Sequence, residues 1–170
     1  MKQFANAIRV AVSQQNWHGA LALALTIPDV CGRLENPTLG SEKRYKAWWD
    51  RYAAPKFHNM LGGSDAYALR CAYLHEGTDD ILNQRAAQAL SAFIFIEPRK
   101  GSTIHCNQIN SKLQLQVDIF CTDICDGVDS WVQDVQDNAE VQRRMNALIA
   151  IRKSSGELGL VDLVLENPDA

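Results

Sequence analysis

The chain has 170 residues, of which 46% are hydrophobic and 22% are charged, and its formal net charge is −3 at pH 7. This length and composition are typical of one globular domain, so we expect a single domain over residues 1–170. The acidic balance argues against binding nucleic acid through overall charge, because such proteins usually carry a basic excess. Any contact with RNA must therefore depend on a local group of basic residues.

The apolar runs and the cysteines predict a cytoplasmic protein that does not contact a membrane. No run approaches the roughly 18 apolar residues of a membrane helix. Residues 20–25 resemble a signal-peptide core but lack the short basic segment that should precede it. The five cysteines are an odd number without a disulfide-like spacing, which favours reduced thiols in the cytosol.

Apolar residues recur at helical spacing near the start of the chain and predict two helices there. The first covers roughly residues 2–15, and the second covers residues 17–35. The second is apolar nearly all round, which is typical of a helix buried on several sides. Pro28 should kink this helix or mark a new start capped by Thr26.

A third helix is predicted from residue 42 to about residue 57, with Ser41 as its N-cap. Its adjacent tryptophans, Trp48 and Trp49, together with nearby basic residues, could form a stacking surface for bases. Adjacent helix positions diverge by about 100°, so it is simpler to place one tryptophan in the core and the other at its edge.

The hydrophobic period then changes to that of strands. Residues 92–96 are β-branched and aromatic, and residues 104–109 and 113–117 alternate apolar and polar side chains. We expect a small antiparallel sheet or hairpin here. Two further helices are predicted over residues 119–135 and 141–151, and residues 158–165 could form a short strand or a docked tail. The predicted fold is mainly α: a bundle of about six helices with a small antiparallel β-hairpin inserted before the last two helices.

A short segment between the third helix and the strands carries the most informative chemistry. It reads Arg70-Cys71-Ala72-Tyr73-Leu74-His75, which places a permanent cation and a titratable imidazole five positions apart. Ser64 and Asp65 provide N-cap chemistry before it, and Glu76-Gly77 provides a stop. In an α-helix Arg70 and His75 would lie about 140° apart on opposite sides of the apolar stripe.

This Arg-x4-His pattern in a helical setting resembles the motif of the HEPN superfamily, a group of helical nucleotide-binding domains. Many HEPN members are metal-independent ribonucleases or belong to bacterial defence, stress or toxin systems. The resemblance implies a homodimer in which two Arg70 and two His75 side chains share one groove, with RNA and an antitoxin or other protein as candidate partners. It implies no cofactor and no metal.

Metal-independent RNA cleavage gives each residue of the pair a role. Arg70 would bind and neutralise the phosphate through the paired hydrogen bonds of its planar guanidinium. His75 would move the proton, because histidine titrates near neutrality and the C-terminal helix dipole favours imidazolium. Cys71 is a weak hydrogen-bond partner, so we expect polar support for the pair from elsewhere in the chain, with Asp29, Arg33 and Glu76 as candidates.

The same residues are also compatible with roles that involve no catalysis. The pair could be structural, with Arg70 in a salt bridge to Asp29 or Glu35 and His75 capping its helix. The domain could also be a non-catalytic interaction or nucleotide-binding module in an oligomeric assembly. A zinc site is a further alternative, although its spacing does not match the usual zinc motifs; its ligands would be His105, Cys106, Cys121 and Cys125.

Overall fold

A computed structural model describes residues 1–151, and the segment predicted over residues 158–165 lies outside this range. The described residues form six α-helices and a three-stranded sheet, which confirms the predicted mainly α fold. The sheet precedes the last two helices, as expected. The elements in chain order are α1 (Lys2–Ser13), α2 (Trp17–Glu35), α3 (Ser41–Tyr52), α4 (Gly63–Cys71), β1 (Ala92–Ile96), β2 (Asn107–Ile109), β3 (Lys112–Gln116), α5 (Val117–Asp134) and α6 (Ala139–Asn146).

Helix α2 is the centre of the bundle and packs against α1, α3 and α5. Its small and aliphatic residues, such as Ala24 and Leu25, are fully buried, as the apolar composition of this helix predicts. The predicted new start at Pro28 is wrong, because α2 continues through it to Glu35. The Thr26 hydroxyl does not cap a helix; it donates to the carbonyl of Ala22 one turn earlier.

Helix α3 differs from its prediction at both ends. Its N-cap is Gly40, and Ser41 directs its hydroxyl to the carboxylate of Asp29 on α2. The helix ends at Tyr52 rather than near residue 57, and a separate 3-10 turn follows over Ala54–Phe57. Pro55 explains this break, because proline cannot donate the backbone hydrogen bond that would extend the helix.

The backbones of α2 and α3 approach closely at Gly32. A Cβ atom at this position would lie 2.8 Å from the carbonyl oxygen of Arg44, which is shorter than a van der Waals contact. Only glycine therefore permits this packing. The close approach is what brings Arg44 and Ser41 of α3 against Asp29 of α2.

The two adjacent tryptophans of α3 are both buried. Trp48 is 2% exposed and Trp49 is fully buried, so the suggested base-stacking surface at this pair is wrong. The Trp49 ring stacks on Tyr45 and Phe57, and its Nε1 donates to the carbonyl of Leu61 at 2.8 Å. Both indoles are thus part of the core.

The sheet has the strand order β1-β3-β2. Strands β2 and β3 form the expected antiparallel hairpin, but β1 pairs with β3 in parallel, so the sheet is mixed. Strand β2 starts at Asn107 rather than at residue 104, because Cys106 has a positive φ of 52° that interrupts extended backbone. The inner face buries Phe93, Leu113 and Leu115 against the bundle.

A buried carboxylate anchors the loop that joins α4 to β1. Asp65 is 5% exposed and accepts the backbone N–H groups of Gln88 at 2.7 Å and Ala89 at 3.2 Å. The predicted capping role of Ser64 and Asp65 is therefore wrong, because the N-cap is Gly62, which has no side chain that could form a cap bond. Asp65 stabilises a distant loop instead of its own helix.

Replacing Asp65 with asparagine is expected to lower the free energy of unfolding by about 2 kcal/mol, because a buried amide cannot accept both backbone bonds as strongly as a carboxylate. Urea denaturation measures this loss, and hydrogen exchange should become faster at the amides of Gln88 and Ala89. Asp79→Asn, which changes an exposed carboxylate of the same loop, is the control. Equal stability of the two variants would contradict the anchoring role.

Within residues 1–151, no helix combines the length and the apolar character that a membrane crossing requires.

Candidate functional site

The Arg70/His75 segment changes its helical geometry between the two residues. Helix α4 ends at Cys71, and the chain continues as a π-helical segment over Ala72–Glu76. Gly77 ends this segment with a positive φ of 68°, which confirms the predicted stop. A π-helical turn pairs residue i with residue i+5, so side chains five positions apart come to the same side. The expected 140° separation of Arg70 and His75 is therefore wrong.

The two predicted site residues are in direct contact. Arg70 Nη1 lies 3.2 Å from His75 Nε2. Guanidinium has only donors, so Arg70 donates this bond and His75 accepts it with a neutral ring nitrogen. His75 itself is exposed, whereas the Arg70 side chain is only 18% exposed. The pair thus presents an accessible imidazole at the surface and a largely covered guanidinium beneath it.

Arg70 is oriented by contacts on several sides. Its Nη2 lies 3.7 Å from Asp29 Oδ2, its Nη1 lies 3.9 Å from Cys71 Sγ, and its guanidinium carbon lies 5.9 Å from the centre of the Tyr67 ring. The Asp29 distance is that of an ion pair rather than of a hydrogen bond. Arg70 therefore keeps most of its hydrogen-bonding capacity while its position is fixed.

One carboxylate serves more than one cation at this site. Asp29 accepts a hydrogen bond from Arg44 Nε at 2.8 Å and from the Ser41 hydroxyl at 3.1 Å, in addition to its ion pair with Arg70. Two guanidinium groups with a single carboxylate between them leave a local excess of positive charge. Such an excess attracts an anion even though the whole chain is acidic.

Two buried donors near this carboxylate have no hydrogen-bond partner among the described residues. They are Arg70 Nε and the hydroxyl of Tyr45, which is fully buried. Burial raises the pKa of Tyr45 well above its usual value, so its hydroxyl stays neutral and can donate. Buried polar groups are rarely left unpaired, so an acceptor that reached either donor would remove the cost of leaving it unsatisfied.

The three predicted supporting residues have different outcomes. Asp29 forms the ion pair with Arg70. Arg33 donates to the carbonyl of Pro37 at the end of α2. Glu76 accepts a hydrogen bond from Gln84 at 2.7 Å and so ties the following loop to the π-helical segment. Only Asp29 is therefore brought to the guanidinium.

The alternative salt bridge from Arg70 to Glu35 is not formed. Glu35 accepts a hydrogen bond from Trp131 Nε1 at 3.0 Å and lies 3.9 Å from Arg51. Asp29 is thus the carboxylate that partly neutralises Arg70. This ion pair is what the structural alternative for Arg70 predicts.

The suggested zinc ligands do not form a metal site. Among residues 1–151, no group of three or more histidine, cysteine or acidic side chains could hold a metal ion. Cys125 donates to the carbonyl of Ala5, and His105 Nε2 lies 3.6 Å from Asp123. Burial raises the pKa of the Cys121 thiol to about 12 and that of Cys125 to about 11, so both stay protonated.

Sequence reasoning missed the α3 residues of the site, namely Ser41, Arg44 and Tyr45. Ser41 has the pattern of an N-cap, and Arg44 and Tyr45 have the pattern of an ordinary amphipathic helix. The close approach at Gly32 is what places them at the site. A glycine within an otherwise apolar helix was the available signal, since it can mark a close helix contact.

No family model, curated protein or solved structure matches this chain. Its function must therefore be inferred from the geometry of its residues.

Proposed function

We propose that the protein is a HEPN-like, metal-independent endoribonuclease of a bacterial defence or stress system. The observation that carries this proposal is the contact between Arg70 Nη1 and His75 Nε2 at 3.2 Å, with the imidazole exposed. A phosphate-binding group and a proton-transfer group are thus in contact, and the imidazole of the pair is accessible. These are the two functions that RNA cleavage without a metal requires.

The chemistry proceeds by transfer within the RNA chain. The ribose 2′-oxygen attacks phosphorus, the bond from phosphorus to the 5′-oxygen breaks, and the products are a 2′,3′-cyclic phosphate and a 5′-hydroxyl. Solvent water accepts the proton of the 2′-hydroxyl, and another proton reaches the 5′-oxygen. Arg70 neutralises the non-bridging phosphate oxygens, and His75 transfers the proton to the leaving oxygen as the general acid.

The protonation state of His75 connects binding to this step. In the free protein His75 accepts from Arg70, so its Nε2 carries no proton. When His75 is protonated, both groups are donors and repel each other across 3.2 Å. A phosphate between them would accept from both donors and relieve this repulsion.

Cleavage of a mixed-sequence RNA in EDTA tests the proposal. We expect His75→Ala to reduce the cleavage rate by at least about 100-fold, which is the lower range for loss of a general acid. Arg70→Lys should also lose activity, because an ammonium cannot form the paired bonds of the guanidinium. His58→Asn is a matched control, since it removes another exposed histidine and asparagine tolerates the positive φ of 51° at that position. Equal rates for wild type and His75→Ala would contradict the proposal.

The resemblance to HEPN domains also implies a homodimer for the active pair. If the groove is composite, mixing Arg70→Ala and His75→Ala subunits creates mixed dimers that combine an intact arginine from one chain with an intact histidine from the other. Recovery of cleavage after mixing supports the composite groove. No recovery, with dimers present by light scattering, supports a pair that acts within one chain.

A second candidate function is a non-catalytic module that binds nucleotides or a partner protein. The ion pair with Asp29 and the low exposure of Arg70 favour it, because both features also suit a structural arginine. This module binds RNA or inorganic phosphate without cleaving RNA. Binding that His75→Ala leaves unchanged, together with no detectable cleavage by wild type, supports it over the enzyme.

A further inference from the structure

A concave site separate from the Arg70/His75 pair lies where the start of α2 meets the end of β1. It is a cleft of about 160 Å³ lined mainly by Trp17, His18, Leu21, Phe95 and Glu97. Its mostly apolar lining with a few polar groups is typical of a site for a small ligand. The proposed phosphate chemistry does not use any of these residues.

The two aromatic walls of the cleft are held in place. Trp17 is the first residue of α2, where the Asn16 side chain caps the helix by accepting the N–H of Gly19 at 3.1 Å. Phe95 packs edge-on against Phe120 in the core, with ring centres 5.3 Å apart. Both aromatic side chains are only partly buried, so a flat molecule can reach them.

The polar groups of the cleft are a carboxylate and an imidazole. Glu97 is exposed and follows β1 directly. His18 is oriented by a 2.8 Å hydrogen bond between its Nδ1 and the hydroxyl of Tyr73. Tyr73 belongs to the same π-helical segment as His75, so one five-residue segment contacts a wall of this cleft and also carries the proposed general acid.

We propose that this cleft binds a guanine base of the RNA, an inference that rests on the proposed function. Aromatic side chains favour stacking with any base. A carboxylate has two acceptor oxygens and no donor, and guanine presents two adjacent N–H donors on its Watson–Crick edge. Adenine presents a donor beside an acceptor and therefore faces repulsion from the same carboxylate. The cleft thus makes cleavage selective for sites next to a guanine.

Binding of free nucleosides tests the cleft separately from the phosphate pair, because a nucleoside carries no phosphate. Of the four tryptophans, only Trp17 is not buried, so quenching of tryptophan fluorescence reports on this site. We expect guanosine to bind about tenfold more tightly than adenosine or inosine, the latter lacking the 2-amino group. Equal affinities for the three nucleosides, or no binding at millimolar concentration, would overturn the inference.

Two variants sharpen this test. Glu97→Gln, at an exposed position, should fold normally and lose the preference for guanosine while keeping its stacking. Glu42→Gln is the matched control and should keep the preference, because Glu42 is an exposed residue of α3 that pairs with Lys46. Trp17→Leu should weaken guanosine binding about tenfold, measured by calorimetry because the fluorescence signal is removed. Retention of the guanosine preference in Glu97→Gln would overturn the role of the carboxylate.

The outcomes also separate this inference from the proposed function. Cleavage of RNA with no preference for guanine, together with no guanosine binding, contradicts the guanine site and leaves the proposed ribonuclease function supported. Selective guanosine binding without any RNA cleavage supports the cleft and contradicts the enzyme.

Discussion

Asp29→Asn is expected to lower the free energy of unfolding by about 3 kcal/mol and to reduce the proposed RNA cleavage as well. The substitution keeps the shape of the side chain but removes the charge that Arg44 and Arg70 share. Removing one partner of a buried ion pair leaves the other charge uncompensated, which typically costs about 3–5 kcal/mol. The lower end applies here because the three side chains are 16–18% exposed.

Chemical denaturation of Asp29→Asn measures the loss. Glu42→Gln is a matched control, because it also removes the carboxylate of an ion pair but at an exposed position, where ion pairs contribute little to stability. We expect no measurable change for Glu42→Gln. If Asp29→Asn is as stable as wild type, Asp29 does not hold Arg70 in place, and other contacts of the guanidinium must fix its position.

Trp49→Ala is expected to have the largest effect on stability, a loss of about 4 kcal/mol. The indole is fully buried, it stacks between Tyr45 and Phe57, and its N–H donates to the carbonyl of Leu61. Alanine leaves a cavity and an unsatisfied carbonyl. Thermal and urea denaturation report the loss, and Trp49→Phe should show a smaller one, because it keeps most of the packing and loses only the hydrogen bond.

Trp17→Ala is the control for this prediction. It makes the same chemical change at a partly exposed position at the start of α2. Burial determines the cost of removing a large side chain, so its loss should be less than half that of Trp49→Ala. Similar losses for the two variants would show that Trp49 is not a packing centre of the bundle.

Hydrophobic spacing was sufficient to predict the helices and the place of the sheet in this chain. The hydrophobic period of a segment depends on the burial of one face of that helix or strand. It can therefore be identified without knowing which elements pack together. The parallel pairing of β1 with β3 was not predictable in this way. This pairing brings together Ala92 and Lys112, which are twenty positions apart in the sequence. The residues of a strand do not indicate which other strand will pair with it.

The candidate site was predictable only in its chemistry. Arg70 and His75 were identifiable because a cation and an imidazole stood in an otherwise apolar segment. Their contact was not, because it depends on a π-helical segment whose hydrogen bonds have no simple sequence signal. The capping assignments failed for a related reason: Ser41 and Asp65 have local partners available, but tertiary contacts with Asp29 and the loop amides prevail.

The π-helical turn also determines which kinds of sequence change this site can tolerate. The distance between the guanidinium of Arg70 and the imidazole of His75 depends on the main chain, because the widened turn brings the two side chains together. Side chains such as Leu74 can vary without altering that distance. Loss of a single residue between Ala72 and Leu74 would give an i,i+4 spacing, which an ordinary α-helix also places on one face; the two groups separate only when all four intervening residues are kept in a regular α-helix. Homologues that keep this contact should therefore have either four intervening residues with the widened turn or three intervening residues in a regular α-helix.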